Sequence, residues 1–103
     1  MSTITPLTVV RGTYTAPTDE VDAHRDAHLA FIDGLIAEGA VLAAGRTPDQ
    51  RGSILIVRAP DDEAATALLA GDPYLAAGVV TYASAGTFTP GRHVPQLASL
   101  LAG

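Results

Sequence analysis

The chain contains no cysteine and no lysine, and each absence removes a class of function. Without cysteine there is no disulfide framework, no thiol nucleophile and no cysteine metal site. The six basic residues are all arginines, scattered from Arg11 to Arg92, and the formal net charge is −5. Because phosphate binding needs clustered positive charge, we expect no nucleic-acid partner.

Aromatic residues are also scarce, and tryptophan is missing. The 48% of hydrophobic residues is therefore mostly Ala, Val, Leu and Ile, whose small side chains each cover little area. A domain of 103 residues built in this way gains from association, which buries more surface. No apolar run reaches the roughly 18 residues of a membrane helix, and no leader pattern precedes the first strand. We expect a soluble, cytoplasmic protein with no membrane partner.

The order of apolar segments and turn residues predicts a single domain over residues 1–103, with a core at 1–90. The predicted strands are 4–14, 40–46, 53–59 and 79–89, and the predicted helices are 18–38 and 61–70, the second closed by Gly71. A further helical turn is predicted from Asp72 as cap, Pro73 as first residue and Gly78 as terminator. The tail 91–103 could form a short docked helix. This β-α-β-β-α-β order is that of an α+β, ferredoxin-like fold with an antiparallel sheet.

The sheet is predicted to have no clean polar face. Consecutive apolar residues, which point to opposite faces, occur in three strands: Val9 and Val10, Leu55 and Ile56, Val79 and Val80. The strand 53–59 is apolar on both faces, which favours a central position. Since the helices cover one face only, an exposed apolar face remains. We therefore expect a homodimer packed sheet to sheet.

His28 lies on the apolar face of the predicted helix 18–38. At about 100° per residue, the residues Val21, Ile32 and Leu35 fall within about 40° of it. One interpretation is a core histidine satisfied by a single hydrogen bond. The other is a functional imidazole, which needs a partner elsewhere in the chain.

Asp72 is the best candidate for that partner. In a ferredoxin-like fold the two helices lie side by side, so a residue just after the second helix can approach the face of the first. A carboxylate bonded to one ring nitrogen sets the tautomer and leaves the other nitrogen free for proton transfer. Asp before Pro is also a common helix cap, and one carboxylate can serve both roles.

Four segments and one aromatic residue resemble the YCII-related (YciI-like) family. They are RDAHL (25–29), AAG (43–45), GS (52–53) and DPYLAAGV (72–79), with Phe88 closing the last strand. The resemblance covers nearly the whole domain, from the first strand to about residue 90. It implies a ferredoxin-like fold of the dimeric α/β-barrel superfamily and a His-Asp dyad that falls on His28 and Asp72. The few enzymatic relatives implied are lyase or dehydrochlorinase types that act on small hydroxylated aromatic rings.

The same segments, together with the residue after AAG, suggest which side chains line a substrate pocket between the first helix and the turn after the second. We expect substrate binding by Arg25, Gly45, Arg46, Ser53 and Tyr74. The family's second strand usually ends in Gly-Pro, whereas here Arg46 follows Gly45 and the proline is delayed to Pro48. Arg46 either binds an anionic group or is a solvated loop arginine. Arg25 either neutralises Asp72 or a substrate anion, or pairs with Asp22 or acids near Glu38.

Metal and cofactor sites have little support, and we expect none. His24 and His28 have the i, i+4 spacing of two ligands on one helix face, but HRDAH lacks a metalloprotease glutamate. We interpret His24 as a surface residue near the pocket mouth and His93 as an exposed histidine. Ser53 has no nucleophile motif around it. Haem held by His28 remains a remote option.

The leading functional hypothesis is a small dimeric enzyme that uses the His28-Asp72 dyad for general acid/base chemistry on a small metabolite. The main alternative is a binding or regulatory module that holds a small molecule in the same pocket without turnover. A third interpretation makes the dyad a satisfied core pair, which predicts a dry, closed space around His28.

Overall fold

The computed structural model describes residues 4–102, which form a four-stranded antiparallel sheet with helices on one face. The strands are β1 (Leu7–Tyr14), β2 (Val41–Arg46), β3 (Gly52–Arg58) and β4 (Val80–Phe88). The helices are α1 (Thr18–Asp22), α2 (Arg25–Ala37), α3 (Asp62–Leu69), α4 (Pro73–Ala76) and α5 (Ala98–Leu101), with a 3-10 turn at Pro95–Leu97. The sheet order β2-β3-β1-β4 confirms the predicted ferredoxin-like fold. Residues 1–3 and 103, predicted to belong to the same domain, lie outside the described residues.

The main core lies between the helices and the sheet. Its centre joins Ile32 of α2 and Leu69 of α3 to Val10, Leu55 and Val57 of the two central strands. The predicted central position of the strand at 53–59 is correct, because β3 lies between β2 and β1. A second buried cluster, made by Val21, Tyr74, Val79 and Val80, lies beside the first near the start of β4.

The predicted first helix is in fact two helices. α1 ends at Asp22 and α2 begins at Arg25, with His24 at φ −109° and ψ 7° between them. The break has a tertiary cause, since Val21 packs in the second cluster while Ile32 packs in the main core. The helical angle between His28 and Val21, calculated for one continuous helix, was therefore wrong.

Strand ends agree with the prediction to within one residue, except at the start of β1. Ile4 is not part of β1, which begins after Pro6, and proline has no amide hydrogen to donate to a sheet. Ile4 instead forms an isolated bridge with Ala102. Gly78 adopts a φ of 71°, in agreement with its predicted role as a helix terminator, and Gly39, which follows α2, adopts a φ of 75°.

The main core, with α2 and α3, lies on one face of the sheet, and part of the opposite face is apolar. Alternation along the strands places Val9, Ile54 and Ile56 there, each half-buried, with Phe88 48% exposed. Arg11, Thr13 and other polar residues share this face.

The tail docks at the end of the sheet where β1 begins. Leu101 is buried, the Thr5 amide donates to its carbonyl at 2.9 Å, and Arg58 Nη1 donates to the Leu100 carbonyl at 2.8 Å. The expected docked helix is therefore present as α5. Among residues 4–102, no helix is long and apolar enough to cross a membrane.

Candidate active site

A cleft of about 190 Å³ lies between α2 and the strands β2 and β3. It is lined by His28 and by all five residues expected to bind substrate, Arg25, Gly45, Arg46, Ser53 and Tyr74. Its apolar wall comes mainly from Leu29, Ile32 and Ile36 of α2, with Leu55 and Ala44 opposite. The cleft borders Tyr74 of α4, the turn after α3, and extends along α2 beside β2 and β3. Asp33 of α2 borders the cleft too.

His28 and Asp72 are in direct contact behind the cleft. His28 Nδ1 lies 2.9 Å from Asp72 Oδ1 and 3.0 Å from Oδ2, so one ring nitrogen faces both carboxylate oxygens. An ionised carboxylate only accepts hydrogen bonds, and neutral His28 therefore carries its proton on Nδ1. Nε2 remains as the ring nitrogen available to a molecule in the cleft. The side chain of His28 is 14% exposed and that of Asp72 is fully buried.

Local sequence places each member of this pair. His28 lies one turn before Ile32, and because Ile32 is anchored in the core, the same face of α2 is directed inward. Asp72 precedes Pro73 and caps α4, accepting the Tyr74 amide at 2.9 Å through Oδ1. The cap and the contact with His28 coexist, as two carboxylate oxygens allow.

Tyr74 supports the imidazole from behind. Its ring stacks on His28 with centroids 3.8 Å apart and planes 4° from parallel. Tyr74 is 1% exposed, so most of its surface contacts protein and only part of it borders the cleft. The stack fixes the plane of the imidazole.

Asp72 is buried yet remains a carboxylate. Burial raises the pKa of the Asp72 carboxyl, but hydrogen bonds from His28, Tyr82 and the Tyr74 amide outweigh it, and the pKa lies below its usual value. The negative charge of Asp72 is thus stabilised by hydrogen bonds from protein groups rather than by water. A carboxylate of this kind orients a histidine and stabilises its protonated form.

Tyr82 is the residue that sequence reasoning missed. Tyr82 belongs to β4 and is not among the residues that line the cleft, and its hydroxyl donates to Asp72 Oδ2 at 2.5 Å. The alternation of β4 was a usable signal, since it places Tyr82 on the same sheet face as buried Val80. Burial, followed by the bond to Asp72, raises the pKa of the Tyr82 phenol, which therefore remains a donor at neutral pH.

Arg46 closes one end of the cleft and is already paired. Its Nη2 lies 2.7 Å from Asp22 Oδ1, and its Nε donates to the Tyr14 hydroxyl at 3.2 Å. The bond to Asp22 raises the pKa of the guanidinium above its usual value. Arg46 is therefore not a solvated loop arginine. Of the alternatives left open for Arg25, a pair with Asp22 is not formed, because Asp22 binds Arg46.

Arg25 and Ser53 complete the polar lining. Arg25 is exposed at the first turn of α2 and, within residues 4–102, makes no ion pair, so its charge is available at the mouth of the cleft. Ser53 is half-buried in β3, whose register pairs it with Arg46. Within the same range, no group of three or more His, Asp or Glu side chains is placed to hold a metal ion.

Comparison with solved structures shows the fold again. The 5-chloro-2-hydroxyhydroquinone dehydrochlorinase of Burkholderia phenoliruptrix, in complex with 2,5-dihydroxybenzoquinone, is similar at a TM-score of 0.56 and 23% identity, covering 81% of this chain and 88% of that one. SnoaB, a cofactor-independent oxygenase from Streptomyces nogalater, is similar at a TM-score of 0.45 and 19% identity, covering 87% of this chain and 96% of that one. Among curated proteins, none matches the sequence.

The family model gives a more specific result. It matches residues 7–85, from the first residue of β1 to within β4, and so spans His28, Asp72 and Tyr82. This match confirms the resemblance seen in the segments around His28 and Asp72. The chain belongs to the YCII-related domain family.

Proposed function

We propose that this protein is a small acid/base enzyme in which His28 Nε2 moves a proton on a small, hydroxylated ring bound in the cleft. The observation that carries the proposal is the geometry of the dyad: Nδ1 is held 2.9 Å from a fully buried carboxylate while the imidazole borders a cleft. A satisfied core pair would need no adjacent open space. The cleft beside His28 therefore favours a functional role over a purely structural one.

The size and lining of the cleft suggest the substrate class. An apolar cavity of about 150 Å³ is enough to bind benzene, so a cleft of about 190 Å³ suits a single substituted ring. Leu29, Ile32 and Ile36 supply an apolar wall for its faces. His28, Ser53 and Arg25 supply polar contacts at its edge. Cleft size and lining thus favour a compact ring with hydroxyl groups over a long or highly charged ligand.

The reaction that fits this lining is an elimination. His28 Nε2 takes the proton of a ring hydroxyl, and the O–H electron pair forms a carbonyl bond. The imidazolium returns this proton to the ring carbon that bears the leaving group, and that carbon becomes tetrahedral. His28 Nε2 then takes the proton of a second hydroxyl, whose electron pair forms a second carbonyl bond. The conjugated double bond shifts, and a leaving group such as chloride departs from the tetrahedral carbon with its bonding pair. Electrons balance without an oxidant, and the proton passes from His28 to water. Asp72 stabilises the imidazolium formed in this step.

A direct test compares wild type with His28→Gln, using 5-chloro-2-hydroxyhydroquinone as a probe and chloride release as the readout. His24→Gln is the matched control, because His24 belongs to the same segment and is absent from the cleft lining. We expect turnover in wild type and in the control, and a loss of about 100-fold or more in His28→Gln. Turnover that survives in His28→Gln contradicts the proposal. Binding of the ring without any conversion would support a non-catalytic binding module instead.

We also propose that two copies associate through the open sheet face. Ile54 and Ile56 lie on this face of β3, and Val9 of β1 lies opposite Ile56, so the three form an apolar area with Arg11, opposite Ile54, at its edge. Sedimentation equilibrium of wild type and Ile56→Glu tests this, with Ala67→Glu on the exposed side of α3 as control. We expect a dimer for wild type and the control and a monomer for Ile56→Glu. A wild-type monomer at high concentration would rule the proposal out.

A further inference from the structure

We propose that Tyr82 is a positioning residue of the dyad, whose hydroxyl holds the Asp72 carboxylate in the orientation and ionised state from which it directs His28. The kinetic part of this inference rests on the proposed function, whereas its electrostatic part does not. None of the segments that carry the family resemblance includes Tyr82.

The first support is the set of donors around Asp72. Oδ1 accepts from the Tyr74 amide at 2.9 Å and Oδ2 accepts from Tyr82 at 2.5 Å, while His28 Nδ1 lies about equally far from both oxygens. Asp72 is 1% exposed, so water has almost no access to replace a donor. Of the three donors, the Tyr74 amide also caps α4 and His28 changes charge in the reaction. The Tyr82 hydroxyl neither caps a helix nor changes charge in the reaction, and within residues 4–102 it bonds to Asp72.

The second support is the space that the sheet leaves for the Tyr82 ring. Tyr82 pairs with Gly12 of β1, and a Cβ at position 12 would lie 2.9 Å from Tyr82 Cε1 and 2.6 Å from Ser53 Oγ. Such contacts are closer than packed atoms tolerate, so the ring can lie across β1 only because residue 12 is glycine. Glycine at position 12, opposite Tyr82 in the pairing of β1 with β4, thus leaves the space that the Tyr82 ring needs to reach Asp72.

The third support is the position of Tyr82 relative to the cleft. Tyr82 is half-buried on β4 and is not among the residues that line the cleft beside His28. It therefore acts on a bound ring only through Asp72 and His28. Removing its hydroxyl should lower the rate of proton transfer and leave binding of the ring nearly unchanged.

The experiment is Tyr82→Phe, with Tyr14→Phe as a control for loss of a hydroxyl that does not touch Asp72. Titration of the Asp72 carboxyl carbon by ¹³C NMR needs no substrate. We expect the pKa of Asp72 to rise in Tyr82→Phe, since a lowering hydrogen bond is lost, and to stay unchanged in Tyr14→Phe. An Asp72 pKa equal to that of wild type in Tyr82→Phe overturns the inference.

Kinetics provide the second readout. With 5-chloro-2-hydroxyhydroquinone as probe, we expect kcat of Tyr82→Phe to fall by about 10-fold to 100-fold, the range for a hydrogen bond to a charged group, with KM nearly unchanged. A rise in KM at constant kcat would contradict a positioning role. If wild type converts nothing, the proposed function fails while the NMR titration still decides the role of Tyr82.

A measurement on wild type covers the case in which Tyr82→Phe does not fold. The ¹³C resonance of Tyr82 Cζ should keep its un-ionised position at a pH where free tyrosine, with a pKa of about 10, is ionised. Ionisation of Tyr82 together with free tyrosine would show that its hydroxyl is not held by Asp72, which overturns the inference.

Discussion

Asp72→Asn separates the two roles that Asp72 combines, namely capping α4 and orienting His28. Asparagine caps helices about as well as aspartate, so the bond from the Tyr74 amide survives the change. The amide, however, has a single acceptor oxygen in place of two. One of the donors now held by the carboxylate, Tyr82 or His28, must lose its acceptor.

The loss of one hydrogen bond sets the size of the expected change in stability. A hydrogen bond to a charged group contributes about 1.5 to 3 kcal/mol, and an unmet buried donor cannot turn to water when Asp72 is only 1% exposed. We therefore expect Asp72→Asn to lower the free energy of unfolding by about 1.5 to 3 kcal/mol. Burying a neutral amide costs less free energy than burying a carboxylate, and this difference offsets part of the loss. We therefore expect a value in the lower half of the range.

Urea unfolding followed by circular dichroism measures the difference, at one fixed protein concentration because association shifts apparent stability. Asp61→Asn is the matched control, since Asp61 caps α3 by accepting the Ala64 amide at 2.8 Å and is exposed. We expect little change in the control. An equal, small loss of unfolding free energy in both variants would refute the reasoning, because it would show that Asp72 contributes to stability only as a helix cap.

Two further predictions concern charge. The pKa of Asp72 lies below its usual value of 3.8, so its contribution to stability is complete above that pH and is lost as the pH falls through the lower folded value. Urea midpoints of wild type and Asp72→Asn should therefore converge below pH 3.8, and a constant gap down to the acid transition would contradict this sign. Asp22→Asn frees Arg46 at the end of the cleft, with a stability change below about 1 kcal/mol because Asp22 is 45% exposed in its pair. Calorimetry measures the affinity of each variant for anionic 2,5-dihydroxybenzoquinone and for neutral hydroquinone. We expect the ratio of these affinities to favour the anion more strongly in Asp22→Asn than in wild type or in the control Asp26→Asn. An unchanged ratio would argue against Asp22 as the group that neutralises Arg46.

The dyad illustrates how far local sequence signals reach. His28 was predicted to face inward from its spacing to Ile32, and Asp72 was predicted to cap a turn from the Pro73 that follows it. Both predictions need only the geometry of a helix and of a cap. Their contact spans 44 residues, and it required the fold, which the order of strands and helices indicated.

The errors arose where two distant parts of the chain compete for one residue. The helix at 18–38 looked continuous because its residues favour helix, but Val21 and Ile32 pack into different clusters, and that decides the break at His24. Asp22 has two arginines within plausible reach in sequence, and only the position of β2 beside α1 selects Arg46.

The sequence by itself determined the element order, the inward face of α2, the cap at Asp72 and the family, because each depends on periodicity or on a short motif. The tertiary structure decided the rest. Tyr82 reaches Asp72 because β4 pairs with β1 at Gly12, and the cleft lies where residues of α2, β2 and β3 come together beside His28. Such contacts depend on strand register and helix placement, and neither can be predicted from a single segment of the chain.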